Sequence, residues 1–450
     1  MNTEIFKAYD IRGSYPIDIN EDVANIIGKS YGSYIQEYFG KKKCVVGRDN
    51  RLSSPSLTKS LIEGLLATGI NVIDYGEITT PMHYYTRYVE NTFGIMVTAS
   101  HNPKDDNGFK FSFDMYANAR GEMIEEFKDY TLKGNFRVGK GILEQRDIRD
   151  AYISYLKENI SLGSRKVKAV FDMGNGVTST IIKDVIQEFP GIIPYYICDL
   201  SDGTFPNHHP DPAVEDNMVM LKNKVLEVNA DIGIGFDGDG DRIGIVDNNA
   251  NFVMADKMMI VAIRDMIKSV TNKTFLCDVK CSKSLTDEIE RLDAKCFMSR
   301  TGTSFTESAT KLNHIPLGGE LSGHIFFNDR GPEVCSAIYA GLRLIEILSK
   351  TNKSFTELLD GITNYYSTPE IKIPCPNDKK FLVVEKVKDY VKLKDYDYLD
   401  IDGVRVNFKD AWALIRASNT GPNLTLRFEA TTHEVLKEKE KEFVDLVSNL

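Results

Sequence analysis

The residues best suited to chemistry begin with a serine. In Gly94-Ile-Met-Val-Thr98-Ala-Ser100-His101-Asn102-Pro103 an apolar strand pattern runs into a polar loop and presents Ser100 at its C-terminal end. Open α/β sheets bind ligands at that edge of their strands. A hydroxyl there can act as nucleophile or phosphate carrier, with His101 and the nearby Lys110 as candidates for proton transfer or phosphate contact. The same residue types also build ordinary turns, so this segment alone leaves both readings open.

A second constellation is Phe236-Asp237-Gly238-Asp239-Gly240-Asp241-Arg242, with the apolar runs Ile232 to Phe236 and Ile243 to Val246 on either side. Carboxylates at every second position repel one another unless a cation neutralises them. Hard oxygen ligands on a tight loop suit Mg²⁺, which keeps positions for water and a substrate phosphate. The competing calcium loop requires Gly at its sixth position and Glu at its twelfth, where this chain has Arg242 and Asn248. A solvated acidic turn is the remaining alternative, and the interleaved glycines favour a backbone curled around an ion.

Two further loops can hold a ligand. Leu317-Gly318-Gly319-Glu320-Leu321-Ser322-Gly323-His324 puts an acceptor and a hydroxyl between glycines that let the backbone approach a sugar ring. By itself it reads equally as a solvated turn. Ile415-Arg416-Ala417-Ser418-Asn419-Thr420-Gly421-Pro422-Asn423, followed by a strand carrying Arg427, collects the donors a phosphate ester needs, because guanidinium groups bind it bidentately. A hairpin turn with an Arg reaching to water is the plainer reading.

The elements that must position these loops alternate between strand and helix. Lys43 to Val46 reads as strand, Ser54 to Ala67 as a helix with Leu57, Leu61, Ile62 and Leu65 on one face, and Ile70 to Tyr75 as strand again. Ser54 before Pro55 is the expected N-cap, and Gly69 stands where a C-terminal glycine belongs. The pattern returns at Val167 to Asp172 with a helix from Asn175 to about Glu188, and at Thr274 to Val279 with a helix from Ser282 to Leu292. After residue 365 it changes. A helix at about Lys379 to Leu393, strands near Val404 to Phe408, Trp412 to Arg416 and Leu424 to Phe428, and a charged helix after Thr432 suggest an α+β unit.

The chain has 450 residues, which favours about three or four domains over one growing core. The expected division is three α/β domains with mixed sheets, at 1–150, 151–250 and 251–365, and a smaller α+β domain at 366–450. Hydrophobic residues at 42% and charged residues at 27% describe an ordinary folded protein. Polar residues within Met1 to Asp10 argue against a signal peptide, and no apolar stretch approaches a membrane span, so a cytoplasmic location is expected. The 7 scattered cysteines fit reduced thiols, and the C-x3-C pair Cys277 and Cys281 reads as core rather than as a metal site. A net charge of −10 with no basic block gives no footprint for nucleic acid or an anionic membrane. Any anionic substrate must therefore be bound by local charge.

Together the four loops resemble the α-D-phosphohexomutase superfamily, in its phosphomannomutase/phosphoglucomutase branch. The resemblance runs nearly end to end and includes Phe6-Lys-Ala-Tyr9-Asp10-Ile-Arg12-Gly13, Val46-Gly-Arg48-Asp49-Asn-Arg51, Asn107-Gly-Phe-Lys110-Phe, Asp278-Val-Lys280-Cys281 and Asp402-Gly-Val-Arg405-Val. It implies a heart-shaped arrangement of the four domains around a central active-site cleft, with a C-terminal domain that can rotate. It also implies that Ser100 is the phosphoserine, and that Asp237, Asp239 and Asp241 hold Mg²⁺ together with the Ser100 oxygen. Arg12, His101, Lys110 and Arg242 match catalytic positions. Tyr9, Lys280, Glu320, Ser322 and His324 match sugar contacts, and Arg416, Ser418, Asn419, Thr420 and Arg427 match the phosphate-binding loop.

The implied reaction relocates a phosphoryl group between positions 1 and 6 of mannose or glucose phosphate, through a hexose 1,6-bisphosphate that also serves as activator. No nucleic-acid or membrane partner is expected, and the chain should be a monomer or weak homo-oligomer. Phosphoglucosamine mutase chemistry, an aspartyl-phosphate enzyme built on Asp237, and a sugar-phosphate sensor without turnover are the alternatives. Thr303 stands where the branch commonly has His, which weakens the expectation for sugar contacts. Leu321 resembles the Met of the mannose/glucose branch more than the Gln of phosphoglucosamine mutases.

Overall fold

The apolar runs beside the serine and aspartate loops are central strands. Every residue of Gly94–Val97, Ile232–Phe236 and Ile243–Asp247 is buried, as expected for strands covered on both faces. The computed structural model describes residues 1–330, 335–418 and 421–450.

Four sheets follow one another along the chain. The first orders its strands Ile11–Ser14, Asp106–Phe111, Gly94–Val97, Lys43–Arg48, Asn71–Glu77 and Leu143–Gln145. Gly94–Val97, Lys43–Arg48, Asn71–Glu77 and Leu143–Gln145 run parallel, whereas Asp106–Phe111 is antiparallel to Gly94–Val97 and to Ile11–Ser14. Register places Arg12 opposite Gly108 and Lys110 opposite Met96, so Arg12 and Lys110 lie near the Ser100 loop.

In the second sheet Val167–Asp172 lies parallel to Ile192–Ile197 and to Ile232–Phe236, and Ile243–Asp247 returns antiparallel beside Ile232–Phe236. That return makes the aspartate loop the tip of a hairpin. The third sheet is also mixed, with Thr274–Asp278 parallel to Lys295–Ser299 and Leu317–Gly319, and Ile325–Phe327 antiparallel at the edge. The fourth is antiparallel, built on Val404–Asn407, Ala411–Ala417 and Asn423–Ala430, and is packed against the helices Lys380–Leu393 and His433–Ser448.

Some local readings need correction. The N-cap of the helix Ser54–Leu66 is Ser53, and Ser54 opens the helix with its hydroxyl donated to Asp49. The single helix expected from Asn175 to Glu188 is instead a 3₁₀ turn, Val177–Thr180, and a short helix, Ile182–Gln187. The chain there turns back behind the aspartate loop, with Val177 N–H donating to the Gly238 carbonyl at 3.0 Å.

One apolar core runs from one face of the first sheet, at Val45, Ile73 and Tyr75, through the second sheet into the third, and the helix Ala337–Ser349 is buried all round within it. The other face of the first sheet, and the fourth sheet, have cores of their own. No helix among the described residues is long and apolar enough to cross a membrane.

Candidate active site

Ser100 sits just past the end of Gly94–Val97 with φ at +52°, a region costly for a residue with a side chain. The strain is held in place by many bonds. Ser100 N–H donates to Thr98 Oγ1 at 2.9 Å. The fully buried guanidinium of Arg51 donates to the carbonyls of Ser100, Asn102, Pro103 and Asp106 at 2.5–3.0 Å. The sequence places Ser100 at an exposed loop tip, but only 2% of it is accessible, because the aspartate hairpin packs against it. Ser100 Oγ donates to Asp237 Oδ2 at 2.7 Å, and His101 Nδ1 lies 3.4 Å from the same oxygen.

The hairpin turns through Gly240, whose φ is +79°. Asp237 Oδ1 accepts the N–H groups of Asp241 and Arg242 at 3.0 Å each, which fixes the loop against its own strand end. Asp237, Asp239 and Asp241 are buried, and one oxygen from each lies within 4.8 Å of the others. Lys110 Nζ bridges Asp239 Oδ2 and Asp241 Oδ2 at 2.7 Å each, and Thr80 and Thr98 donate to Asp239 Oδ2 at 2.7 and 3.1 Å. Among the described residues, Asp239 Oδ1 and Asp241 Oδ1 are buried without a hydrogen-bond partner, His324 Nδ1 lying 3.5 Å from the latter.

A lone ammonium does not neutralise three carboxylates, and the electrostatics show the deficit. Burial, then the charges of Asp239 and Asp241, push Asp237 well above the usual carboxylate range. Burial and Asp239 likewise raise Asp241. Burial also acts against Asp239, but Lys110 and the hydrogen bonds of Lys110 and Thr80 outweigh it and hold Asp239 below its ordinary value. Two orphaned buried oxygens, an all-oxygen donor set and the adjacent Ser100 hydroxyl fit a hard divalent cation.

Around this centre lie cations and neutral imidazoles. Arg12 donates to Asp10 at 2.6 Å and to Asn102 at 2.9 Å. Arg242 Nε donates to His324 Nε2 at 3.0 Å, and its Nη1 lies 3.4 Å from His101 Nε2. Burial, then Arg242, holds the pKa of both His101 and His324 well below the ordinary value, so both rings are neutral at pH 7.

The structure brings the separate loops onto one cavity of about 990 Å³. Ser100, His101, Lys110, Arg12, Arg242, Tyr9, Lys280, Glu320, Ser322, His324, Arg416, Ser418 and Arg427 all line it, while Asn419 and Thr420 lie outside the described residues. The cations opposite Ser100 are paired within the protein. Lys280 meets Glu370 at 3.0 Å, Arg416 meets Asp402 at 3.0 Å, and Arg427 donates to the Lys280 carbonyl. Glu320 lines the cavity with its carboxylate oriented by Gly302 N–H, Thr306 Oγ1 and Ser322 Oγ, all of which donate to it. Thr303 Oγ1 and Ser304 Oγ line the cavity, buried and unpartnered among the described residues.

Arg51, Thr80 and Thr98 were not among the residues expected to shape the site. Arg51 stands in the Arg48-Asp49-Asn-Arg51 segment, but nothing local shows that its guanidinium gathers carbonyls from the Ser100 loop.

Four α/β-type units around a shared cleft, with a strained serine against a carboxylate hairpin able to hold a cation and a guanidinium cluster opposite, define a phosphohexomutase. Sequence comparison agrees along the whole chain. Residues 3–137, 150–250 and 254–366 match the phosphoglucomutase/phosphomannomutase alpha/beta/alpha domains I, II and III, and residues 370–446 match the C-terminal domain. The chain belongs to the phosphoglucomutase/phosphomannomutase family. It is 38% identical over 438 residues to a phosphomannomutase/phosphoglucomutase of Pseudomonas aeruginosa, covering 96% of this chain and 93% of that protein. A phosphoglucomutase of Neisseria gonorrhoeae is 35% identical over 451 residues, covering 99% and 97%. A crystal structure of a phosphoglucomutase/phosphomannomutase family protein from Burkholderia thailandensis superposes with a TM-score of 0.91 at 34% identity, covering 100% of this chain and 98% of that one.

Proposed function

We propose that this phosphohexomutase interconverts the 1- and 6-phosphates of mannose, glucose or both, using phosphorylated Ser100 and a hexose 1,6-bisphosphate. The carrying observation is the 2.7 Å bond from Ser100 Oγ to Asp237, beside a carboxylate set with two orphaned oxygens and across one cavity from Arg416, Ser418 and Arg427. Asp237, Asp239, Asp241 and the Ser100 oxygen would hold Mg²⁺. Bound there, the ion offsets charge on the oxygens of the transferring phosphoryl group.

The protein's own groups do the rest. Arg12 and Arg242 line the cavity near Ser100 and counter the anionic phosphoryl oxygens. Neutral His101 can accept a proton, and Lys110, held cationic by its carboxylates, can return one. Tyr9, Lys280, Glu320, Ser322 and His324 face the sugar, and Arg416, Ser418, Asn419, Thr420 and Arg427 grip the phosphate that is not reacting. The bisphosphate must turn end over end between half-reactions, and a wide cavity with several donors permits it. Leu321 favours mannose or glucose over an amino sugar, and the presence of both relatives' names supports that branch.

Intact-protein mass spectrometry should show one phosphoryl group, mapped to Ser100, after incubation with glucose 1,6-bisphosphate. Ser100→Ala should lack it and turn over at roughly background rate. Full mutase activity in that variant would refute the assignment. Comparison of mannose, glucose, glucosamine and N-acetylglucosamine phosphates tests the sugar independently.

A further inference from the structure

A second constellation of metal-binding atoms lies behind the aspartate hairpin and has no part in the phosphoryl chemistry. Asp172 is the last residue of Val167–Asp172 and pairs in register with Ile197 of the neighbouring parallel strand. Cys198 follows immediately, so a carboxylate and a thiol emerge side by side at the C-terminal edge of the second sheet. His208 comes back to them from the loop that leaves Cys198. Asp172, Cys198 and His208 each place a ligand atom within 4.8 Å of the other two.

The geometry around them suits coordination. His208 Nε2 lies 3.1 and 3.2 Å from the two oxygens of Asp172, while Nδ1 lies 3.0 Å from the carbonyl of His209. A backbone acceptor at Nδ1 fixes the tautomer in which Nε2 binds a metal once it gives up the proton it shares with Asp172, the usual arrangement around a ligating histidine. Asp172 Oδ1 also accepts Gly174 N–H at 3.0 Å, which orients the carboxylate. Cys198 is held in the left-handed region at φ +49° while its carbonyl accepts Asn175 N–H at 3.0 Å, so the strain keeps its thiol in this corner.

We propose that Asp172, Cys198 and His208 form a second divalent-metal site, selective for zinc over magnesium, that staples the segment 199–214 to the edge of the second sheet. The donor types decide the ion. Thiolate and imidazole select zinc over the hard cations that suit Asp237, Asp239 and Asp241. Zinc–ligand bonds of about 2.0–2.3 Å require donors roughly 3.5 Å apart, within the span seen here. A bidentate Asp172 would bring the donor count to the four of a closed structural site.

The side chain of His208 is 15% exposed, which gives the ion a way in. Without metal, burial opposes a charge on His208, but Asp172 prevails and lifts its pKa to about 10. Metal binding therefore replaces an ion pair, releasing one proton from His208 and one from the Cys198 thiol.

The site would also act on the cleft. The stapled segment brings Asp211, Ala213 and Val214 to the cavity wall. Burial lowers the pKa of Arg242, and Asp211 is first among the charges that raise it again. The staple thus fixes the position of an anion whose charge acts on Arg242.

The test uses the full chain, in excess Mg²⁺, with Zn²⁺ and with Co²⁺ as a coloured probe. Wild type should retain close to one zinc per chain by elemental analysis, and Co²⁺ should give a thiolate-to-cobalt charge-transfer band. Cys198→Ser should lose the band and bind zinc roughly tenfold or more weakly, with an unchanged circular dichroism spectrum. Asp239→Asn, which disables the other cluster, should keep the band. Should Cys198→Ser fail to fold, zinc must protect Cys198 of the wild type from alkylation by N-ethylmaleimide in peptide maps. No band in wild type, a band that survives Cys198→Ser, or alkylation of Cys198 unaffected by zinc would each overturn the proposal.

Discussion

Asp237 serves two neighbours at once. Its Oδ1 is taken by the backbone of its own hairpin and its Oδ2 by the Ser100 hydroxyl, so its ionisation is tied to the cluster. Burial and the neighbouring carboxylates raise its folded-state pKa above the unfolded value. For such a group, the stabilising contribution is fully present below about pH 4 and is lost as pH rises through the raised value. A divalent cation binds the ionised form, so its stabilising effect must grow over the same range. The rise in melting temperature on adding Mg²⁺ to chelator-treated protein should be clearly larger at about pH 8 than at about pH 5.5. An increment independent of pH would show that Asp237 does not titrate with metal binding.

At the scale of elements, the catalytic arrangement is one loop laid against another. A Cβ on Gly238 would stand 2.6 Å from the Ser100 carbonyl oxygen, a backbone atom that Arg51 holds from the other side. Gly238→Ala should therefore push the hairpin away from the serine loop and cost roughly 1–3 kcal/mol in chemical denaturation. Turnover should fall more than stability, because the Ser100 to Asp237 contact is the first to open; unchanged turnover would mean that the two loops are not coupled.

The two strands that make this hairpin were legible in the sequence, because buried central strands read as apolar runs and the intervening glycines mark the turn. The helix Lys283–Arg291 was equally legible, each end falling one residue inside the expected Ser282 to Leu292. Arg51 and Thr80 were not, since their partners are 49 and 159 residues away and no local pattern records such pairings. The short break between Val177–Thr180 and Ile182–Gln187 escaped for the same reason, its cause being contact with Gly238.

Over the whole molecule, charge is distributed against the net balance. The chain carries −10 overall, yet Lys7, Arg12, Arg242, Lys280, Arg416 and Arg427 converge on one cavity, interleaved with carboxylates such as Asp10, Asp211 and Glu370. The contact that brings the fourth sheet to this cavity is mainly polar. Arg405 stacks 4.0 Å over Trp412 and donates to the carbonyls of Val279 and Cys281, while Glu429 accepts Ser282 Oγ and Lys283 N–H. Its apolar part is small, centred on Val279, Trp412 and Leu414. Interfaces of this kind, small and largely polar, are those that permit movement between units. A dianionic sugar phosphate approaching a negative protein is drawn in only by these local cations, through a field that salt screens over about 8–10 Å near physiological strength. Raising NaCl from about 0.05 to about 0.5 M should increase KM several-fold and change kcat by less than roughly twofold, because screening acts on encounter far more than on groups buried beside Ser100. If kcat falls in step with the rise in KM, salt is reaching the buried pairs around Lys110 instead of the mouth of the cleft.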